Sequence, residues 1–358
     1  MKRGFAELPL HGGKAPKWLF ERMIKLAREI TYAIVIYFGR EEFLARISDP
    51  YWFQSFGCVL GFDWHSSGVT TTVTGALKEG LKPVQAELGL FFAGGKGKRG
   101  MLTPKEIDEW GERGFIDFDK VLVLKNVSRL TAKVDSSCLQ DGYSIYHHFL
   151  IYSKGDEWAV VQQGMKGEAK LARRYHWFSK GLESFVSDPH SGIASLSKEK
   201  PLNLVDSKIE KTRSDIILVS IEMPVSEIKR LREIKSLIMP MHHPIYDEDF
   251  DEARLKSVLE RVRIIKPSSF TDMLLVKGLG EKSLRALTLL SHLLFGSDLS
   301  FKDPVTFSFA HGGKDGYPFP VDRKTYDNSI YILEEALRKA KLNNLDKLKA
   351  LRRLSLIT

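Results

Sequence analysis

The chain has 358 residues, 43% of them hydrophobic, and 54 Lys and Arg against 45 Asp and Glu give a formal net charge of +9. That length suits one large domain or two ordinary ones, and no charge-free apolar run approaches the ~18 residues of a membrane span. The start, MKRGFAELPLHGG, has no apolar core of the kind a secretory leader needs. Cys58 and Cys138 are too few for a disulfide framework or a four-thiolate metal or cluster site, so a cytoplasmic setting without membrane partners is expected.

Residues 17–38 carry apolar positions at helical spacing and read as a long helix. FDWHSSGVTTTVTGALKEGL reads as a turn into a helix beginning near Ser67 or Thr70. Residues 104–113 read as a short helix with proline in its first turn. The stretch 116–140 has a strand-like composition but helical periodicity in its second half, and helix is the reading favoured. YSIYHHFLIYS and EWAVVQQGM flank KGD and read as a β-hairpin. Residues 186–214 are polar, which places a linker near 195–215. Helices are expected over 225–238, 251–264, 268–277, 281–295 and 326–341, with a basic helix in LDKLKALRRL. The fold class is α+β: a domain over 1–200 with a β-hairpin, then a helical domain over 201–358.

The basic excess points to a polyanion, because each phosphate neutralised releases condensed counterions. The stretch LLVKGLGEKSLRAL, within 270–296, gives that idea a site. Gly278 and Gly280 bracket Leu279, so the chain can turn sharply and a phosphate can approach without a Cβ in the way. The helix that follows directs its unpaired N–H groups and positive end outward. Lys282, Ser283 and Arg285 stand on its first turns. This segment resembles the helix-hairpin-helix of DNA repair proteins, which grips the DNA backbone.

GLGEK and FPVDRKTYD also resemble the helix-hairpin-helix DNA glycosylases. That likeness implies Lys282 as the nucleophile toward the sugar's anomeric carbon and Asp322 as the carboxylate that stabilises charge. The chain departs from the pattern in having Lys277 where proline is usual, a longer loop before PVD, and no four-cysteine cluster.

The first half is dense in polar side chains. Asp63 and His65, Asp141, His147 and His148, Gln162 and Gln163, and Arg173, Arg174 and His176 suit strand-end sites, and acidic, His and Gln groups can hold Mg²⁺ or Mn²⁺ for phosphodiester hydrolysis. Asp141, Gln163 and Lys166 resemble the restriction-endonuclease-like core, with a Gln–Lys spacing one residue longer. The pair His242–His243 is a further candidate ligand set. Tyr143, Tyr146, Tyr152, Trp158, Tyr175, Trp177 and Phe178 interleave with basic residues in a way that suits either base stacking or a core.

The tripeptide Gly-Gly-Lys occurs three times. AGGKGKRG, with Lys96, Lys98 and Arg99, reads as an exposed phosphate loop. The two HGGK copies, His11–Lys14 and His311–Lys314, border proline-containing segments and are expected to flank one cleft.

LPLHGGKAPKWLFERM, FDWHSSGVTTTVTGALKEGL, WAVVQQGM, ARRYHWF and FAHGGKDGYPFPVDRKTYD together resemble the mainly archaeal domain-of-unknown-function family 763 over about residues 4–342. The resemblance implies one shared architecture and an archaeal or thermophilic source, and it supplies no catalytic residues. The function expected is a DNA-processing or repair enzyme, foremost a metal-dependent nuclease with a helix-hairpin-helix. The alternatives are base excision by Lys282 and Asp322, and a non-catalytic DNA-binding adaptor. The first reading makes His11, Asp63, His65, Asp141, His147, Gln163 and His311 the groups to look for in one cleft.

Overall fold

The computed structural model describes residues 15–62, 68–166, 171–195, 198–224, 252–306, 323–340 and 344–355. The first helix, α1 (Lys17–Phe38), buries Met23, Ala27, Ile30 and Ile34, one stripe at helical spacing. Gly39, at φ 94°, ends it and lets α2 (Arg40–Ile47) begin at once. The Asp49 side chain accepts from the Trp52 N–H at 2.8 Å and caps α3 (Pro50–Val59), which has proline in its first position. Helices α4 (Gly68–Leu81) and α5 (Gln85–Leu88) lead into strand β1 (Leu90–Lys96).

Next come α6 (Lys98–Met101), α7 (Thr103–Glu112) and α8 (Phe118–Lys133), the last running into a π-turn at Val134–Cys138. The strands β2 (Leu139–Gln140), β3 (Ser144–Ser153), β4 (Trp158–Lys166), β5 (Leu171–Phe178), β6 (Gly192–Ala194) and β7 (Leu202–Asn203) follow, then α9 (Glu210–Glu222). Beyond it lie α10 (Glu252–Ile265), α11 (Phe270–Leu274), α12 (Glu281–Phe295), α13 (Arg323–Lys339) and α14 (Asn344–Ser355).

Five strands form one antiparallel sheet in the order β1-β3-β4-β5-β6, and β2 pairs with β7. Side chains alternate between its faces, and both faces are covered. Phe92, Phe149, Ile151, Ala159 and Val161 join a core with α1–α4, α13 and α14. Phe91, Leu150, Tyr152, Val160 and Trp177 join a second core with α7–α12. Each large apolar side chain so buried contributes about 2 kcal/mol.

The free edge of β1 is closed by side chains. Gln85 accepts from the Phe92 N–H at 3.1 Å, Glu106 accepts from the Gly94 N–H at 2.6 Å, and the Lys78 ammonium donates to the Gly94 carbonyl at 2.8 Å. This blocks pairing with a further strand.

The α+β class is as the sequence implies, and so are the helices α1, α4 and α7 and the β3–β4 hairpin. Three expectations are corrected. AGGKGKRG is no loose phosphate loop: Ala93–Lys96 close strand β1, and Lys98 and Arg99 stand exposed on α6. The 195–215 stretch is no bare linker, because Leu202, Leu204, Val205 and Ile209 are buried in the second core. That core draws residues from both sides of position 200. The helix expected over 268–277 stops at Leu274. Of the two uses open to the aromatics, a core is the one found for Tyr143, Tyr152, Trp158, Tyr175 and Trp177, which are buried.

Candidate active site

Three doublets, His147–His148, Gln162–Gln163 and Arg173–Arg174, lie at one end of the sheet. Register sets Lys96 beside His147, His147 beside Gln163, and Gln163 beside Arg174. A second row, His148, Gln162 and Tyr175, follows one position along. Because the strand period is two, these rows face opposite sides of the sheet.

The second row is a closed network facing α8. Gln162 gives its amide N–H to Asp135 and accepts from His148 Nδ1 at 2.9 Å. His148 is therefore the Nδ1–H tautomer, and its Nε2 accepts from the Ser128 hydroxyl at 2.9 Å. Asp135 also takes the Trp177 indole N–H at 3.0 Å and His190 Nε2 at 2.6 Å. Burial lowers the pKa of His148.

Asp141 belongs to the same side. Its carboxylate accepts from Arg173 at 2.9 Å, from the Tyr175 hydroxyl at 2.6 Å and from the Tyr143 N–H at 3.0 Å. Arg173 binds Asp303 through both terminal nitrogens, at 3.2 and 2.9 Å. Burial alone would lower the guanidinium's pKa, but Asp141 and Asp303 outweigh it and raise it.

The first row faces α3 and α4. Thr70 donates to the Gln163 carbonyl oxygen, and Gln163 gives its amide N–H to the Tyr146 hydroxyl. Arg174 is buried and donates to Gln54 at 3.0 Å, to the Pro50 carbonyl at 3.1 Å and to His176 Nε2 at 2.8 Å. Burial lowers its pKa to about 9. His176 donates from Nδ1 to the Ile47 carbonyl at 2.9 Å, so both of its nitrogens are satisfied.

His147 is different. Its Nε2 lies 3.1 Å from the Thr74 hydroxyl, which itself donates to the Thr70 carbonyl at 2.8 Å. The hydroxyl can therefore only accept from the ring. His147 is the Nε2–H tautomer, and its Nδ1 lone pair is buried without a partner. Burial, then the charges of His148, Lys96 and Lys78, push the pKa down to about 3.

The turn Leu275–Gly280 forms the other candidate. Leu279 is fully buried and Gly278 has φ 94°. The Lys277 carbonyl accepts from Arg261 at 2.8 Å, and the Leu279 carbonyl accepts from the Lys133 ammonium. In a trans peptide the C=O and the following N–H point opposite ways. The N–H groups of Gly278 and Gly280 are thus turned away from Arg261 and Lys133, and no hydrogen bond of either is found within the described residues. Lys277 and Lys282 are exposed on either side.

Ser283 and Arg285 are buried. Arg285 binds Gln140 at 2.8 Å and Glu281 at 2.7 Å, so its charge faces the protein.

Of the seven groups expected to converge, His147 and Gln163 are neighbours, whereas the Asp141 carboxylate is bound on the opposite face. His11, Asp63, His65 and His311 lie outside the described residues, as do Lys14, Lys314, Asp322 and His242–His243. Lys166 pairs with Glu199 at 3.4 Å. Among the described residues no three His, Cys, Asp or Glu are grouped to hold a metal ion. The described residues alone therefore supply no ligand set for Mg²⁺ or Mn²⁺.

Sequence reasoning missed Gln54, Thr74 and Lys78, and took Tyr146 only as a stacking or core aromatic. The threonine run TTTVT is the available signal, since Thr70 and Thr74 share a helical face at a spacing of four.

No curated protein and no solved structure matches the chain. The family model described as "Protein of unknown function (DUF763)" matches residues 4–321 and takes in nearly every motif quoted above. With that match covering most of its length, the chain belongs to the DUF763 family.

Proposed function

We propose that this protein binds double-stranded DNA by its sugar–phosphate backbone, through a helix-hairpin-helix made of α11, the turn 275–280 and α12, as part of a DNA-processing enzyme. The observation that carries this reading is the pair of outward N–H groups at Gly278 and Gly280. Two cationic side chains hold the Lys277 and Leu279 carbonyls, so the N–H groups of the same two peptides are left to an anion. The N-terminus of α12 adds its dipole and unpaired N–H groups, and Lys277 and Lys282 add charge. The Glu281 carboxylate also sits there, bound to Arg285. Contacts of this kind position a duplex and carry little base information.

The net charge of +9 supports the same partner. Scarce glutamine and abundant Lys and Glu support a heat-adapted source, two buried free cysteines support a cytoplasmic setting, and an archaeal source is what the family resemblance implies.

The test is fluorescence anisotropy on a labelled duplex across a salt series. Lys277→Ala and Lys282→Ala are each expected to lower the salt slope by about one, as when a single phosphate is no longer neutralised. Gly278→Ala, whose Cβ would lie 2.6 Å from the Arg261 guanidinium, is expected to weaken binding at least tenfold. Duplex affinity indifferent to all three variants would remove the reading.

A further inference from the structure

Helix α8 carries Lys125, Arg129 and Lys133 at a spacing of four, which aligns them along one side of the helix. Both outer members are bound. Lys125 pairs with Asp108 of α7 at 2.8 Å, and the Lys133 ammonium donates to the Leu279 carbonyl in the hairpin turn. Arg129, between them, is exposed, and no partner for its guanidinium is found among the described residues. A cation without a counter-ion thus stands on the line that joins α7 to the hairpin.

Helix α6 adds two more. A Cβ on Gly100 would lie 3.4 Å from the His148 Cβ, so α6 sits over that histidine. The His148 ring reaches α8 on the same side of the sheet, where its Nε2 meets the hydroxyl of Ser128, the neighbour of Arg129, at 2.9 Å. Lys98 and Arg99 are exposed on α6, and neither has an acidic partner among the described residues.

The carboxylates in contact with this surface are already engaged. Glu106 binds Lys78 at 2.6 Å, Asp108 binds Lys125, and Glu281 binds Arg285 at 2.7 Å. Lys98, Arg99 and Arg129 are left with a mutual repulsion that a polyanion relieves. From Ser128 to Lys133, α8 rises only about 7.5 Å. The α6 cations, Arg129 and the hairpin lysines therefore fall within one ~34 Å turn of a duplex. All of them stand on the α8 side of the sheet, on packed elements rather than loose loops.

We propose that Lys98, Arg99 and Arg129 make a second set of phosphate contacts, so that one double-stranded DNA lies along α8 from α6 to the hairpin turn. The sharing of one duplex rests on the hairpin reading above; the cationic surface does not. A duplex is favoured over a single strand, because a single strand is held by stacking bases on rings. The ring beside this surface, Tyr146, has the Lys96 ammonium over its face, 5.7 Å from its centre. Guanidinium and ammonium groups meet phosphate and read no sequence. The hairpin alone fixes one point on the backbone, whereas the second set fixes the direction of the helix axis across the protein.

The test uses the full chain and a labelled duplex of two helical turns, about 20 base pairs, with anisotropy read across a salt series. Lys98→Ala, Arg99→Ala and Arg129→Ala should each lower the salt slope by about 0.9, and the triple variant by about 2.7. Arg129→Lys, which keeps the charge, should keep the slope. Lys25→Ala removes an exposed cation of α1, the helix packed on the other face of the sheet, and should leave the slope unchanged. A triple variant with the wild-type slope, where Lys277→Ala and Lys282→Ala lower it, overturns the second contact and keeps the hairpin. A slope lowered by the triple variant but by neither hairpin variant removes the hairpin and keeps the α6–α8 surface as the duplex site. If Lys25→Ala acts as strongly as Arg129→Ala, net charge explains the effect and the track is overturned. Tighter binding of the single strand, lost in the triple variant, overturns the duplex as occupant. A wild-type chain that binds no duplex removes both readings.

Discussion

His147 Nε2 and the Thr74 hydroxyl lie 3.1 Å apart, and the direction of that bond is fixed because Thr74 already donates to the Thr70 carbonyl. One helical threonine thus selects the tautomer of a histidine on the neighbouring strand. Thr74→Val keeps the shape and removes the acceptor. The expected cost is about 1–3 kcal/mol, the range for a buried donor left unpaired. The ¹⁵N spectrum of His147 should lose its single-tautomer signature, whereas Thr74→Ser should retain it. A Thr74→Val protein with the wild-type spectrum would show that another group holds the ring.

Acid should unfold the protein from near neutrality downward. Burial lowers His147, His148 and His176 below the ordinary histidine value of 6.5, His147 to about 3. As pH falls below 6.5, the unfolded chain takes up protons that the folded chain refuses. Stability is therefore full above 6.5 and is lost as pH drops toward 3, by up to ~1.4 kcal/mol per pH unit for each such group. Urea midpoints measured from pH 7.5 to 4.5 should fall steadily, and His147→Gln should make that decline shallower. An equal slope in the variant would mean that His147 titrates normally in the fold.

The second Gly-Gly-Lys copy gives a contrast between neighbouring glycines. A Cβ on Gly94 would lie 2.3 Å from the His148 carbonyl oxygen and 2.7 Å from the Thr103 hydroxyl, at φ 94°. A Cβ on Gly97 meets nothing within 4 Å, at φ 60°. Gly97→Ala should cost about 1–3 kcal/mol, the strain of a backbone at positive φ and ψ −127° alone. Gly94→Ala should cost more than about 3 kcal/mol, since backbone must move. Chemical denaturation of the two variants decides it.

These glycines show what is legible in the sequence and what is not. Helix α1 and the β3–β4 hairpin are readable because their apolar period is local. AGGKGKRG is deceptive because two glycines and a lysine look the same in a phosphate loop and in an edge strand. The difference lies in Glu106 and Lys78, distant residues that bind the Gly94 backbone. His147 and Gln163 are legible as polar groups at strand ends. Their separation from Asp141 is not, because the partners Arg173 and Arg174 are adjacent in sequence and a strand sends adjacent residues to opposite faces. The buried state of Arg285 is hidden because the residue it meets, Gln140 on β2, is far away in the chain.

Arg285 offers the sharpest separation between gripping DNA and holding the fold. Its Nε donates to Gln140 at 2.8 Å and its Nη2 to Glu281 at 2.7 Å, and its side chain is 10% exposed. Gln140 in turn donates to the Glu281 carbonyl at 3.1 Å, so the pair ties the first turn of α12 to β2. Arg285→Met removes the charge and keeps most of the apolar stem. Gln140 then loses its donor and Glu281 its counter-ion, an expected loss of about 2–4 kcal/mol. The salt slope of duplex binding, measured where the variant remains folded, should match wild type because every phosphate keeps its partner. Lys282→Ala should do the reverse, lowering the slope by about one with stability nearly unchanged. A slope that drops in Arg285→Met would place this guanidinium on the phosphate and reopen the hairpin's geometry.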